Sequence, residues 1–223
     1  LLLLLLLLLL PPPPVILNIT PKLEREAMDV VLSPDNAFFL VIDWPTVKHI
    51  DTNTNTATRT YKGFSCPNGI DISPDTSFAL VADWSEGIGH IDLRTHQVSF
   101  PYPKKGVRRP QGVAISPDAS FALFTNKGHN NIGRINLRTN QITFHYNNTG
   151  LEGPHGIAIS PDSRHAVVAN RSGNNIALID LQTDEVSFPF PDARFIQPRG
   201  VAFSTDGALV LVVNSGGNSI ACI

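Results

Sequence analysis

Charge is scarce in this chain, and so is sulfur. Lys, Arg, Asp and Glu together make up 16% of the 223 residues and leave a net charge of −2. Nucleic-acid binding needs a concentrated basic surface to neutralise phosphates, so no nucleic-acid partner is expected. Only two cysteines occur, Cys66 and Cys222, and neither belongs to a Cys-x-x-Cys spacing. A zinc framework is therefore not indicated, and both read as small buried hydrophobes, with a bridge between neighbouring blades as the alternative. No segment sustains a helical period of apolar residues, which argues against a helical or α/β fold.

Long hydrophobic runs are also lacking, apart from ten leucines at residues 1–10, followed by four prolines. Ten residues are too few to span a bilayer but match the core of a secretory signal. Residues 1–14 are read as a leader of this kind, although no basic flank or small-residue cleavage site accompanies it; a low-complexity tract is the alternative. A secreted or cell-surface location follows, with no stable membrane span.

What the chain has in quantity is repetition. Ser-Pro-Asp recurs at Ser33, Ser73, Ser116 and Ser160 and degenerates to Ser-Thr-Asp at Ser204, in steps of 40, 43, 44 and 44 residues. A Gly/Ala/β-branched run such as residues 69–72 or 112–115 precedes each anchor and suits a tightly packed strand. Ser-Pro-Asp itself is turn chemistry, with Pro fixing φ and Asp bonding the backbone two residues on. A second strand (78–82, 121–125, 165–169), a third (90–93, 134–137, 178–181) and a fourth (98–102, 142–146, 186–190) follow. Four short strands per repeat cannot bury both faces alone, and stacking the sheets radially buries each against the next. The chain is expected to be all-β: a β-propeller of five four-stranded blades over residues 15–223.

The fifth repeat ends within its third strand. Leu17 lies 16 residues before Ser33, as Phe100, Phe144 and Phe188 lie before their own anchor serines. Residues 15–19 are therefore expected to complete the last blade and close the ring. A piece of a larger propeller is the alternative.

Residues 154–162 (Pro-His-Gly-Ile-Ala-Ile-Ser-Pro-Asp), with 166–170 (Ala-Val-Val-Ala-Asn) and 175–181 (Asn-Ile-Ala-Leu-Ile-Asp-Leu), resemble the YVTN-type and NHL-like propeller repeats. The likeness extends over nearly all of residues 21–223. It implies the fold, while such repeats serve binding scaffolds, surface proteins, lactonases and lyases alike.

The repeat register defines two rings of residues at one face of the channel. Ahead of the first strand stand Met28, Asn68, Gln111, His155 and Arg199; at the end of the second stand Asp43, Asp83, Asn126, Asn170 and Asn214. Convergent polar groups at a channel mouth form a natural ligand site. Asn68, Gln111, His155 and Arg199, with Trp44, Trp84, Lys105 and Arg109 in neighbouring loops, are the ligand-binding candidates. Asp43, Asp83, Asn126, Asn170 and Asn214 offer oxygens of the kind that hold Ca²⁺, but they also suit Asx-turn bonding to loop backbone. His155, Glu152 and Arg199 are the candidates for acid–base chemistry. The mouth positions carry no carboxylate, and the loops divide into a basic half (blades three to five) and an acidic half (Asp43, Asp83, Glu86). The reading is a monomeric, non-catalytic scaffold with no cofactor, binding a protein or small anionic ligand; a propeller-type hydrolase, lactonase or lyase is the alternative.

Overall fold

A computed structural model describes residues 23, 27–147, 149–190 and 195–223. The chain is all-β, and its five sheets are the blades of a propeller. Blade one comprises β1 (Ala27–Leu32), β2 (Phe38–Asp43), β3 (Thr46–Asp51) and β4 (Thr56–Tyr61). Blade two comprises β5 (Pro67–Ile72), β6 (Phe78–Asp83), β7 (Gly87–Asp92) and β8 (Val98–Ser99). Blade three holds β9 (Pro110–Ile115), β10 (Phe121–Asn126), β11 (Asn131–Asn136) and β12 (Gln141–Thr143). Blade four holds β13 (Pro154–Ile159), β14 (His165–Asn170), β15 (Asn175–Asp180) and β16 (Val186–Ser187). Blade five has three strands among the described residues: β17 (Pro198–Phe203), β18 (Val210–Asn214) and β19 (Ser219–Cys222). Residues 15–19, expected to supply its fourth, lie outside the described residues.

Each blade is an antiparallel meander, and Ser-Pro-Asp makes its first corner. The serine hydroxyl donates to the aspartate two residues on, at 2.5–2.7 Å, and accepts the N–H of the first residue of the second strand or the residue before it. The residue after the Asp adopts positive φ in every repeat: Asn36, Thr76, Ala119, Ser163 and Gly207. The side-chain bonds hold this left-handed corner even where a β-branched threonine occupies it.

The second strand of each blade reads as a continuous apolar run because both its faces are covered. Alternate side chains of β6 divide between two cores. Ala79 and Val81 pack with Leu40, Ile42 and Tyr61 of blade one, while Leu80 and Ala82 pack with Val113, Ala122 and Phe124 of blade three. The same division puts Phe121, Leu123 and Ile132 against blade four, and Val167, Ala169 and Ile176 against blade five. The period of two thus builds the ring one interface at a time.

The inner strands are the tightest part. β1 packs on β5, β5 on β9, β9 on β13 and β13 on β17; among the described residues no comparable packing joins β17 to β1. A Cβ added at Gly69, Gly112 or Gly156 would stand 2.4–2.6 Å from a backbone carbonyl oxygen of the next inner strand. Glycine at this register position lets neighbouring backbones touch. Both cysteines differ from expectation. Cys66 is half-buried in the loop before β5, and Cys222 is exposed on β19, where no described strand covers it; they are free thiols.

Gly112→Ala should lower stability by about 1–3 kcal/mol, the usual cost of overpacking. Gly200→Ala should be tolerated, because its added Cβ would meet only Val213 Cγ2 at 3.4 Å. Thermal melts of the two variants check this; equal losses would contradict the close-approach account.

Candidate functional site

Each inner strand begins two residues earlier than its apolar run suggests. Pro67, Pro110, Pro154 and Pro198 are first residues of β5, β9, β13 and β17, and pair with Asp83, Asn126, Asn170 and Asn214. Proline fits there because a strand's first position can forgo the ladder N–H. Immediately afterwards the register shifts. Pro67 opposes Asp83 but Gly69 opposes Ala82, so Asn68 is an extra residue; Arg199 is the extra residue between Pro198 and Gly200. The same shift occurs in β1, β9 and β13. A bulge bends its strand and re-aims the extra side chain. Here Met28, Asn68, Gln111, His155 and Arg199 all line one cavity of about 460 Å³, bounded by the five inner strands.

The second ring performs a different task. Asp83 accepts the N–H groups of Ser65 and Cys66 on one oxygen and those of Ser85 and Glu86 on the other. Asn126, Asn170 and Asn214 accept from Arg108, Glu152 and Ile196, each 18 residues upstream. Their amide groups donate to Asn131, Asn175 and Ser219. Asp43 is buried beside Lys48, whose Nζ lies 2.6 Å away. In blades two to five these side chains clip the loop ahead of the inner strand to the end of the second strand. Their oxygens are committed there rather than converging on an ion, and no cluster of three or more His, Cys, Asp or Glu occurs among the described residues.

The other expectations divide. Glu152 is exposed and does not line the cavity, so it does not join His155 and Arg199. Those two do meet: Arg199 Nε donates to His155 Nε2 at 3.3 Å. Since arginine only donates, the imidazole proton sits on Nδ1. Burial pushes His155 down to about 3, helped by the charges of Arg199, Lys127 and Arg171, so the ring is neutral. His155 is the second residue of β13 rather than part of a loop. Asn68 bonds the Cys66 carbonyl, and Gln111, 3% exposed, bonds that of Pro110. Trp84 is half-buried, with Arg109 and Lys127 at 5.2 and 5.4 Å from its ring centre; Trp44 is 36% exposed. Lys105 lies exposed and outside the cavity lining.

The division into basic and acidic halves needs correction. Asp43 and Asp83 are turned inward, and Glu86 pairs with Lys104 at 3.3 Å. The cations are grouped more tightly than expected. Lys127 is held below its ordinary value by burial, then by Arg171, Arg199 and Arg109. Arg171 Nε is buried with no acceptor among the described residues.

Two carboxylates of the cavity wall escape the sequence reading. Asp29 of β1 and Asp71 of β5 sit below the mouth. Asp29 accepts the N–H groups of Val30 and, across the blade interface, Ile70. Asp71 accepts those of Ile72 and, in blade three, Ile115. Burial raises Asp29 to about 7, with Asp71 adding to the rise, and raises Asp71 to about 6. The signal lies in the repeat: Asp29 stands where Gly69, Gly112, Gly156 and Gly200 stand, and Asp71 where Ala114, Ala158 and Ala202 stand.

A family model described as "Lactonase, 7-bladed beta-propeller" matches residues 80–188. Among solved structures, a chain of a nidogen/laminin complex superposes with a TM-score of 0.69 at 17% identity, covering 80% of this chain and 70% of that one. Hydrazine synthase from Kuenenia stuttgartiensis superposes with a TM-score of 0.60 at 16% identity, covering 89% and 83%. No curated protein matches the sequence. These likenesses place the chain among β-propellers.

Asp29 and Asp71 give stability a definite pH dependence. Their folded-state values lie above the ordinary 3.8. Between about pH 4 and pH 7 these two carboxyls therefore bind protons in the folded chain that they do not bind in the unfolded one, and their contribution to stability falls as pH rises. The limiting slope is about 1.4 kcal/mol per pH unit for each group. The Ser-Pro-Asp aspartates, shifted downward by their serine hydroxyls, act oppositely and only below that window. His155, held neutral in the fold, pulls the other way over much of this range, so the difference is what isolates the pair. From about pH 4.5 to about pH 7 the melting temperature of the wild type should fall relative to that of Asp29→Asn with Asp71→Asn. An unchanged slope in the double variant would contradict the assignment.

Proposed function

We propose that this protein is a non-catalytic propeller that binds a small anionic ligand at the mouth of its channel. One observation carries the reading: Lys127 stands half-buried with Arg171, Arg199 and Arg109 around it, and burial first and then these three charges hold it below its ordinary value. Mutual repulsion among partly buried cations is unfavourable unless an anion relieves it. A cavity of about 460 Å³ suits a small molecule. Neutral His155, held by Arg199, presents its Nδ1–H as a donor.

The repeats are of the YVTN type in this reading, and the leucine run supports export to the cell surface or beyond. The nidogen chain, a propeller found in a complex with laminin, supports a protein as the larger counterpart of such a ligand. A second reading, hydrolysis of a lactone, is favoured by the family model over residues 80–188. Water would add to the carbonyl and the ring C–O bond would break, leaving a hydroxy acid. His155, at about 3, is a poor base at neutral pH; Asp29, at about 7, is better matched to that task.

Phosphate or citrate at matched ionic strength should raise the melting temperature, by about 2.7 kcal/mol of added stability at a hundredfold excess over Kd. Arg199→Ala and Lys127→Ala should abolish the rise and Lys105→Ala should keep it. A rise indifferent to Arg199 and Lys127 would contradict the anion site. Lactone turnover in a pH-stat assay, lost in Asp29→Asn, would replace binding with hydrolysis.

A further inference from the structure

The channel holds charges of both signs, at different depths. Arg199 is the one cationic side chain of the cavity wall among the described residues, and it stands at the mouth. Below it, Asp29 and Asp71 repel one another, and Arg199 offsets only part of the rise this and burial produce at Asp29. The repeat supplies an internal control for what these carboxylates do. Glycine or alanine replaces them in blades three to five, yet β9 packs on β13 and β13 on β17 as closely as β1 packs on β5. Where blades three and four do share a side-chain link, a neutral hydroxyl suffices: Thr125 accepts from Gly112 N and donates to the His155 carbonyl. Holding inner strands together therefore does not require acids, and burying two of them is costly.

Each of the four carboxylate oxygens accepts one backbone N–H, at 2.7–3.0 Å. An ionised carboxylate offers about four acceptor sites in all, and often more than one per oxygen, so each retains capacity. Both residues keep part of their surface open to the cavity.

We infer that the ligand is dipolar, a small zwitterion whose anionic end lies among Arg199, Lys127 and Arg171 while its ammonium end lies between Asp29 and Asp71. This rests on the proposed anion site. A hydroxyl at the inner end would satisfy lone pairs but leave the carboxylate repulsion uncompensated, whereas an ammonium supplies three donors and the missing charge. Arg199 and Asp29 feel one another's charge, so a short molecule bridges them. An ammonium also favours the ionised carboxylates, so binding near neutral pH releases protons.

The test compares matched pairs by calorimetry on the full chain: β-alanine, γ-aminobutyrate and ε-aminohexanoate against the hydroxy acids of the same lengths. At the length that fits, the amino member should bind at least about tenfold tighter, equivalent to about 1.4 kcal/mol. Its enthalpy should change between buffers of different ionisation enthalpy as protons leave. Asp29→Asn and Asp71→Asn should each shrink the preference while leaving hydroxy-acid binding within about twofold. The wild-type comparison needs no variant to fold. Equal affinity within every pair, or a preference that survives both substitutions, would overturn the dipolar ligand and leave the anion site standing. Failure of every probe and of phosphate would overturn both.

Discussion

In every inner strand one residue more than its partner strand can pair is accommodated at the same place, just after the strand's entry. The flanking pairs fix where the extra residue falls. On one side the first residue is held opposite the Asp or Asn that ends the second strand, and that Asp or Asn, in blades two to five, is bonded to the preceding loop. On the other side, in blades two to four, a glycine is pinned against the next blade's backbone, where no Cβ fits. Between these constraints the extra residue leaves the ladder, and its side chain turns toward the channel. The scaffold is thereby separated from the residue it presents. Met, Asn, Gln, His and Arg occupy one position in five copies without disturbing the strands around them.

Much of this is legible in the repeat itself. Ser-Pro-Asp sets the register, the register sets the strands, and the variable position between Pro and Gly stands out against regular neighbours. The glycines' role is less visible in the sequence, because closeness between blades is a long-range property. The inward-facing carboxylates are hidden for another reason. Asp71 sits in an otherwise apolar strand and reads as a solvent-side residue of an alternating pattern, but the innermost strand of a propeller has no solvent side. Asp83 misleads in the opposite direction. As a loop carboxylate beside Trp84 it suggests an acidic surface, yet four backbone N–H groups draw it inside. Sequence shows which groups are present; their partners come only with the fold.

The resulting electrostatics are uneven, and the unevenness bears on function. Where acids serve structure, each is paired with several donors, as in the Ser-Pro-Asp corners and at Asp83. At the channel the accounting does not close: Lys127, Arg171 and Arg199 crowd together at the top, and two carboxylates share the wall below. His155 sits beside Arg199 at the rim, held neutral by its burial and its cationic neighbours. A protein can sustain such opposed, separated charges when something that carries the complement occupies the space between them.

The central claim is that the five variable side chains form the rim of an anion site. It is tested most directly by diffraction from crystals soaked in bromide or selenate, with the anion located by its anomalous signal. The account predicts a peak within hydrogen-bonding distance of Arg199 and close to Lys127 and Arg171. An unoccupied mouth, with anions bound only at exposed loop residues such as Lys105, would contradict it.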